Sequence, residues 1–322
     1  MTRTLAPHEF LSVVGPTGTG KTALALRLAT PWLRQSHPVT VISVDARQIY
    51  REFPRLSVSD LAAWQSLQQE FGDQLLHFYN LNSVSIDSDF SFGTLLSSAR
   101  TQLSSALAAH HYVLVVGGTL VCHEQLRPLS HDHTSVPPDD NVRFAAENMD
   151  TPALQQWLER VDAPALAAMN PSDRANPRRL VRKIEIALYR SVHAGASPSA
   201  PWPYRQLFLS TCDPTTVDTT ALHAHLDARV AARFADPIVQ KEVADFIIAH
   251  PHWHTDDRLS NQLPLGAAQL AQFLAGGLSA SSALSSWQIA EWHYARRQLT
   301  FLRRLLADRH ADLIDQREIL AD

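Results

Sequence analysis

Eight consecutive residues, Gly15-Pro16-Thr17-Gly18-Thr19-Gly20-Lys21-Thr22, match the phosphate-loop spacing G-x-x-x-x-G-K-T. That spacing serves the cradling of phosphate oxygens. Backbone N–H groups converge there with a helix dipole, a lysine adds a point charge, and the final hydroxyl reaches Mg²⁺. The flanks suit the motif: Phe10-Leu11-Ser12-Val13-Val14 reads as a strand, and Ala23-Leu24-Ala25-Leu26 begins a helix. Lysine recurs only at Lys183 and Lys241, arginine carrying the rest of the positive charge, so Lys21 is placed for a point-charge contact and Thr22 for the metal.

A second chemical group stands at Asp45, directly after the β-branched run Val39-Thr40-Val41-Ile42-Ser43-Val44. If that strand lies beside the loop's strand, the carboxylate faces the same cleft and serves as a general base or as a Mg²⁺ contact; an isolated strand-end aspartate would instead cap the next turn. Two basic groups follow. Arg174, Arg178, Arg179, Arg182 and Lys183 gather around one helix start, with 178, 179 and 182 on a broad face, and Arg296, Arg297, Arg303 and Arg304 sit in a late helix among Tyr294, Gln298 and Phe301. Such runs are commonly solvated faces, but two of them in a chain of net charge −4 fit a polyanionic substrate. The histidines form no metal pair: His131 and His133 fall in a linker, and His223 and His225 on different helix faces.

The elements that must position these groups alternate. After the first two strands come a short strand within Leu75–Leu81, a helix over Ser91–His110, and the apolar strand Tyr112-Val113-Leu114-Val115-Val116 ending at Gly117-Gly118-Thr119. Strand-helix alternation predicts an α/β fold, a phosphate-loop NTPase-like parallel sheet flanked by helices, with its cleft at the carboxyl ends of the strands. Ser130–Asp140 is polar and proline-bearing and reads as a linker. A helix starting at Asn176-Pro177 runs to Arg190, a strand includes Phe208-Leu209, and helices are predicted over Thr219–Phe234, Val239–His250, Leu263–Leu274 and Ala283–Leu306. The division expected is a core of 1–136 and 175–322 around a small helical insertion of 137–174.

Composition sets the outer limits. The chain has 322 residues and 45% hydrophobic content, enough for a substantial core, and no long apolar run, so neither a membrane span nor a signal peptide is expected. Cys122 and Cys212 fit no metal spacing and read as reduced thiols, which places the protein in the cytoplasm. A monomer is expected.

In order along the chain, these residues resemble the tRNA dimethylallyltransferases. Gly15–Thr22 is similar to the family's G-P-T-x-x-G-K-T, Asp45-Ala46-Arg47-Gln48-Ile49-Tyr50 to its D-S-x-Q-V/I-Y, and Val116-Gly117-Gly118-Thr119 to its V-G-G-T. Phe90-Ser91-Phe92-Gly93-Thr94-Leu95 resembles the segment opening the next helix. Asn176–Glu185 resembles N-P-x-R-L-I-R-A-I-E, and Tyr294–Thr300 resembles Y-A-K-R-Q-x-T. The resemblance implies transfer of a dimethylallyl group from dimethylallyl diphosphate to N6 of the tRNA adenosine adjacent to the anticodon. It places the diphosphate in the loop with Lys21, Mg²⁺ on Thr22, and Asp45 as the base that takes the N6 proton. Gln48 and Thr119 would orient the adenine, while Arg178, Arg179, Arg182, Arg296, Arg297 and Gln298 would hold the tRNA. The insertion would clasp it.

The pattern also departs from the family. The G-T-x-K stretch after Tyr50 becomes Arg55-Leu56-Ser57-Val58-Ser59-Asp60 without its lysine, and V-G-G-T-G-x-Y becomes Val116-Gly117-Gly118-Thr119-Leu120-Val121-Cys122. In R-I-x-x-R, the first arginine, a diphosphate contact, is His225 and the second is Arg229; the G-Y-[KR] turn is Gly266-Ala267-Ala268. These changes imply a divergent member. Two other readings stay open at this point: a phosphate-loop small-molecule kinase, and a degenerate tRNA-binding protein without transferase activity.

Overall fold

The computed structural model describes residues 5–88, 90–127, 136–193 and 202–315. Residues 130–135 of the linker, with His131 and His133, lie outside these. The β-branched and apolar runs form β1 (Glu9–Val14), β2 (Val39–Ser43), β3 (Leu76–Tyr79), β4 (Tyr112–Val116) and β5 (Arg205–Ser210). Among the described residues they make one sheet in the order β3-β2-β4-β1-β5, with every pairing parallel. β1 and β2 are buried along their whole length, as a parallel sheet covered on both faces requires.

Helices cover that sheet. The first half supplies α1 (Lys21–Arg34), α2 (Leu61–Phe71), α3 (Phe92–Ala108) and α4 (Leu120–Gln125). A separate group contains α5 (Asp140–Ala146), α6 (Thr151–Ala168), α7 (Pro171–Arg174) and α8 (Pro177–Val192). The chain continues through α9 (Thr219–Ala235), α10 (Pro237–Ala249), α11 (Asp257–Gln262), α12 (Ala267–Leu274) and α13 (Ala280–Asp308). On one sheet face, Leu11, Val13, Leu207 and Leu209 pack with Leu24, Leu28 and Trp32 of α1. On the other, Val14 and Phe208 meet Leu302, Leu305 and Leu306 of α13. The placement of β4 between β1 and β2 matters most for function, because it brings the segments after all three strands to one edge.

The domain boundary differs from the one expected. The chain divides into a unit of Met1–Arg127 with Pro203–Asp322, and a unit of Pro128–Trp202. α8, assigned to the core by its sequence position, belongs to the small unit: its Leu180 and Ile184 share a core with Val142, Leu154, Leu158 and Met169. The buried Glu185 of α8 reinforces it, accepting from the Asp139 N–H at 3.2 Å and from Arg143 Nε at 2.9 Å.

Two helices differ from the periodicity reading. α2 was not foreseen, because Leu61–Phe71 has one buried side chain, Trp64, and so shows little apolar stripe. The helix expected over Leu263–Leu274 breaks, since Pro264 and Gly266 interrupt it between α11 and α12. Gly266 has φ +91°, and a Cβ there would lie 1.9 Å from Trp287 Cε2. Gly266→Ala adds left-handed strain of about 1–3 kcal/mol to overpacking of similar size, so a loss of about 2–6 kcal/mol is expected, measured as a lower urea midpoint. A midpoint within experimental error of the unaltered protein would show that this turn relaxes freely.

Candidate active site

α1 begins at Gly20 with no side-chain cap, so its first-turn N–H groups point at the loop mouth without a protein partner supplied by the cap residue. The loop folds upon itself around the Pro16 carbonyl, which accepts from Lys21 Nζ and Thr19 Oγ1, each at 2.9 Å. Gly15 packs against Thr211, whose hydroxyl meets that of Thr19 at 2.5 Å. Thr17, Gly18, Gly20, Lys21 and Thr22 then line a cleft of about 290 Å³.

Asp45 opens onto the same cleft. Its Oδ1 accepts the Arg47 N–H at 2.9 Å and its Oδ2 the Gly118 N–H at 3.0 Å, so the carboxylate is held at the ends of β2 and β4 by two backbone donors. A Cβ on Gly118 would sit 2.7 Å from Asp45 Oδ2, which explains why a glycine stands here. Thr119 works in the same corner, its Oγ1 accepting the Ala46 N–H at 3.0 Å. Leu120 packs into the core with Val14 and Phe208 and does not line the cleft. Gln48 lines it, with Nε2 tied to the Val58 carbonyl at 2.9 Å.

α13 closes the wall with Glu291, Tyr294 and Gln298. Gln298, expected to touch tRNA, is buried and bridges two loops: Oε1 accepts the Thr17 N–H at 2.7 Å and Nε2 donates to the Gly118 carbonyl at 2.9 Å. Tyr294 donates to that carbonyl at 3.2 Å, and burial, with Asp45 nearby, raises its phenol so that it stays neutral. From α9 come His225, Arg229 and Arg233. Arg229 donates to Thr17 Oγ1 at 3.0 Å, whereas exposed His225 lines the cleft without a polar contact among the described residues.

Three of these residues were not foreseen. Arg233 and Glu291 have a spacing signal, since 225, 229 and 233 recur every four residues on α9, and 291, 294 and 298 share one face of α13. Asp60 carries none: it lies in a loop, at φ +54°, where the Thr22 hydroxyl binds its carboxylate. Partial burial raises the Asp60 carboxyl, and that hydrogen bond opposes the shift. Among the described residues no cluster of three or more His, Cys, Asp or Glu could hold a metal by itself. The Thr22 hydroxyl and Asp60 carboxylate nevertheless form an oxygen pair of the kind Mg²⁺ takes when phosphates supply further ligands.

The arginines away from the cleft divide. Arg179 pairs with Asp173, and Arg182 binds Glu185 at 2.8 Å and the Val136 carbonyl at 2.6 Å, both inside the small unit. Arg303 donates to the Pro214 carbonyl and Arg304 pairs with Glu124. Arg178, Arg296 and Arg297 are exposed.

Comparison with known proteins decides the family. The family model described as IPP transferase matches residues 48–305. The chain belongs to the IPP transferase family. That match begins beyond the phosphate loop, so membership does not rest on a motif many families share. This IPP transferase family member is 28% identical over 308 residues to the tRNA dimethylallyltransferase of Rhodopseudomonas palustris, covering 92% of this chain and 87% of the relative. It is 30% identical to that of Anaeromyxobacter dehalogenans over 91% of this chain and 89% of the relative. Its fold matches a eukaryotic dimethylallyltransferase acting on tRNA, with TM-score 0.71 and 17% identity over 96% of this chain and 74% of that one. It also matches a Bacillus halodurans tRNA isopentenylpyrophosphate transferase, with TM-score 0.56 and 20% identity over 96% and 90%.

Lys21 makes the cleft pH-sensitive. Its side chain keeps some solvent access, but crowding by protein atoms lowers its pKa to about 8, against the raising effect of Asp45. The charged form grips phosphate, so affinity is complete below that value and declines as the proton leaves. Affinity for inorganic diphosphate should fall above pH 8 with a slope approaching tenfold per unit, and Lys21→Arg, always charged, should remove the fall. Equal slopes for the two proteins by calorimetry would rule Lys21 out as the titrating contact.

Proposed function

We propose that the chain transfers a dimethylallyl group from dimethylallyl diphosphate to N6 of the tRNA adenosine adjacent to the anticodon. The observation that carries this reading is the shared cleft: an anion cradle with Lys21 on one side, and the backbone-held carboxylate of Asp45 on the other. The diphosphate lies against the α1 terminus, Lys21 and Arg229, which leaves the allylic carbon toward Asp45. A new bond forms between adenine N6 and C1 of the dimethylallyl group while the C1–O bond to diphosphate breaks. Asp45 accepts the proton that N6 loses, and the cradle takes up the negative charge on the departing diphosphate.

Thr22 and Asp60 would hold Mg²⁺, which would supply positive charge to offset that of the leaving group. The adenine must leave its stack to enter the cleft, where Gln48 lines the wall it meets and Thr119, outside the lining, fixes the Ala46 backbone next to Asp45. Arg296 and Arg297, both exposed on α13 outside the cleft lining, offer contacts to tRNA phosphates on the large unit; Arg178 offers a further contact on the small unit. We place this activity in the cytoplasm with a monomeric enzyme; among the described residues no helix is long and apolar enough to cross a membrane.

Incubation with unmodified tRNA and labelled dimethylallyl diphosphate tests the reading: label should appear in adenosine, and its absence with active-site integrity confirmed would sink it. Asp45→Asn should lower turnover about 10²–10⁴-fold, with tRNA affinity within about twofold of the unaltered protein. A comparable loss of tRNA binding would assign Asp45 to grip, not to chemistry. Arg296→Ala with Arg297→Ala should weaken tRNA binding and flatten the log K against log salt slope by up to about 1.4–1.8. An unchanged slope would move the RNA footprint off α13.

A further inference from the structure

A carboxylate is built into the wall of the anion cradle. Glu291 is buried, with its side chain 3% exposed, and both cations of α9 reach it: Arg233 Nη2 lies 3.0 Å and Arg229 Nη1 3.7 Å from the same Oε1. Thr17 Oγ1, from the phosphate loop, is 3.4 Å from that oxygen as well. The other oxygen, Oε2, is buried without a hydrogen-bond partner among the described residues. Arg233 is itself fixed, lying over the Trp287 ring at 4.9 Å and donating to the Leu56 carbonyl at 3.3 Å. Its Nη2 contact to Glu291 is close but off the hydrogen-bonding direction, so charge rather than an aligned hydrogen bond joins the two.

This arrangement is costly in one state and useful in another. An acid beside a polyanion's binding place opposes the ligand, yet two partly buried guanidinium groups four residues apart repel each other when no ligand is there. Glu291 supplies negative charge directly at these two arginines, where Asp45 and Asp60 of the same cleft make no ion pair with them. A diphosphate entering against Lys21 and Arg229 brings its own negative charge, and then competes with Glu291 for the same arginines.

Resting on the proposed diphosphate site, we infer that Glu291 is an internal counter-anion, which holds Arg229 and Arg233 in place in the empty cleft and limits how tightly the cleft retains diphosphate. Glu291 touches no reacting atom in this account. It acts through the arginines and is a positioning residue that favours release of the leaving group.

The account makes a prediction opposite to that of a purely structural bridge between α9 and α13. Glu291→Gln keeps size and shape and removes the charge, so it should lower the melting temperature of the free protein. It should also bind inorganic diphosphate about tenfold more tightly by calorimetry, with a larger diphosphate-induced rise in melting temperature. Unchanged or weaker binding overturns the inference. Should Glu291→Gln fail to fold, Arg233→Met keeps the test open. With Glu291 then opposed by one arginine fewer, diphosphate binding should weaken at least tenfold, and Arg233→Met with Glu291→Gln should restore it to near the original value. A double variant as weak as Arg233→Met also overturns the inference. If the unaltered protein binds no inorganic diphosphate, the proposed function falls along with it; if it binds and Glu291→Gln binds no tighter, the counter-anion alone is refuted.

Discussion

The backbone of Gly117 and Gly118 passes so close to the end of β2 that no side chain fits between them: a Cβ on Gly117 would lie 2.5 Å from the Val44 carbonyl carbon. The close approach lets Val44 donate to the Val116 carbonyl at 2.8 Å, Thr119 donate to the Val44 carbonyl at 3.2 Å, and Gly118 donate to Asp45. Asp45 therefore has a defined direction before any substrate arrives, and strand order sets what it faces. With β4 between β1 and β2, the phosphate loop and Asp45 flank the Gly117–Gly118 turn. Gln298 extends the linkage by joining the Gly118 carbonyl to the Thr17 N–H, so one side chain from α13 sets the spacing between anion cradle and base. Buried hydrogen bonds of this kind cost about 1–3 kcal/mol when a partner is left unsatisfied, which resists drift of either loop.

Charge in the sequence overstates the surface open to RNA. The helix that begins at Asn176 gathers arginines, but Arg182 is committed to Glu185, a carboxylate only 1% exposed that cannot exchange its partners for solvent. Removing that arginine would strip the buried carboxylate of one of its two arginines, leaving Arg143, and loosen the small unit, whatever happened to RNA. The pair Arg304–Glu124 is different: the arginine is 54% exposed, and surface pairs are worth about 0–1 kcal/mol, so a phosphate can displace the acid. Arg296 and Arg297 need no such exchange. The two arginine groups thus contain struts, exchangeable contacts and, among the described residues, exposed cations without an ion pair, and burial of the acid partner separates the first two.

The parallel sheet, the loop and the shared cleft were legible in the sequence because each rests on local signals: continuous β-branched runs, a fixed glycine spacing, and an aspartate directly after a strand. Even helix ends were readable where caps exist, as with Ser91, whose side chain accepts from the Thr94 N–H. Long-range partnership was not legible. Gln298 looked like a surface residue of a basic run because its partners lie 281 and 180 positions away. Glu291 and Arg233 were missed for the same reason, since either alone resembles an ordinary solvated charge. α8 was placed with the core because chain order, without knowledge of the α6 stripe it covers, gave no sign of where its apolar face would pack.

The departures from the family pattern take on a different meaning with the cleft in view. A lysine is missing after Tyr50, an arginine is replaced at His225, and a basic residue is absent after Gly266, which together suggest a site drained of positive charge. Yet Arg233, at a position no motif marks, enters the cleft one turn beyond Arg229. The segment without the lysine contributes Asp60 beside Thr22, and its Leu56 carbonyl receives Arg233. Each lysine and arginine lining the cleft has an oxygen partner: Lys21 on Pro16, Arg47 on Asn261, Arg229 on Thr17, Arg233 on Leu56. Arg233, its acid Glu291 and its Leu56 acceptor thus stand at the same cradle as Lys21 and Arg229, so the cleft keeps a cationic wall although those three motif positions lack theirs.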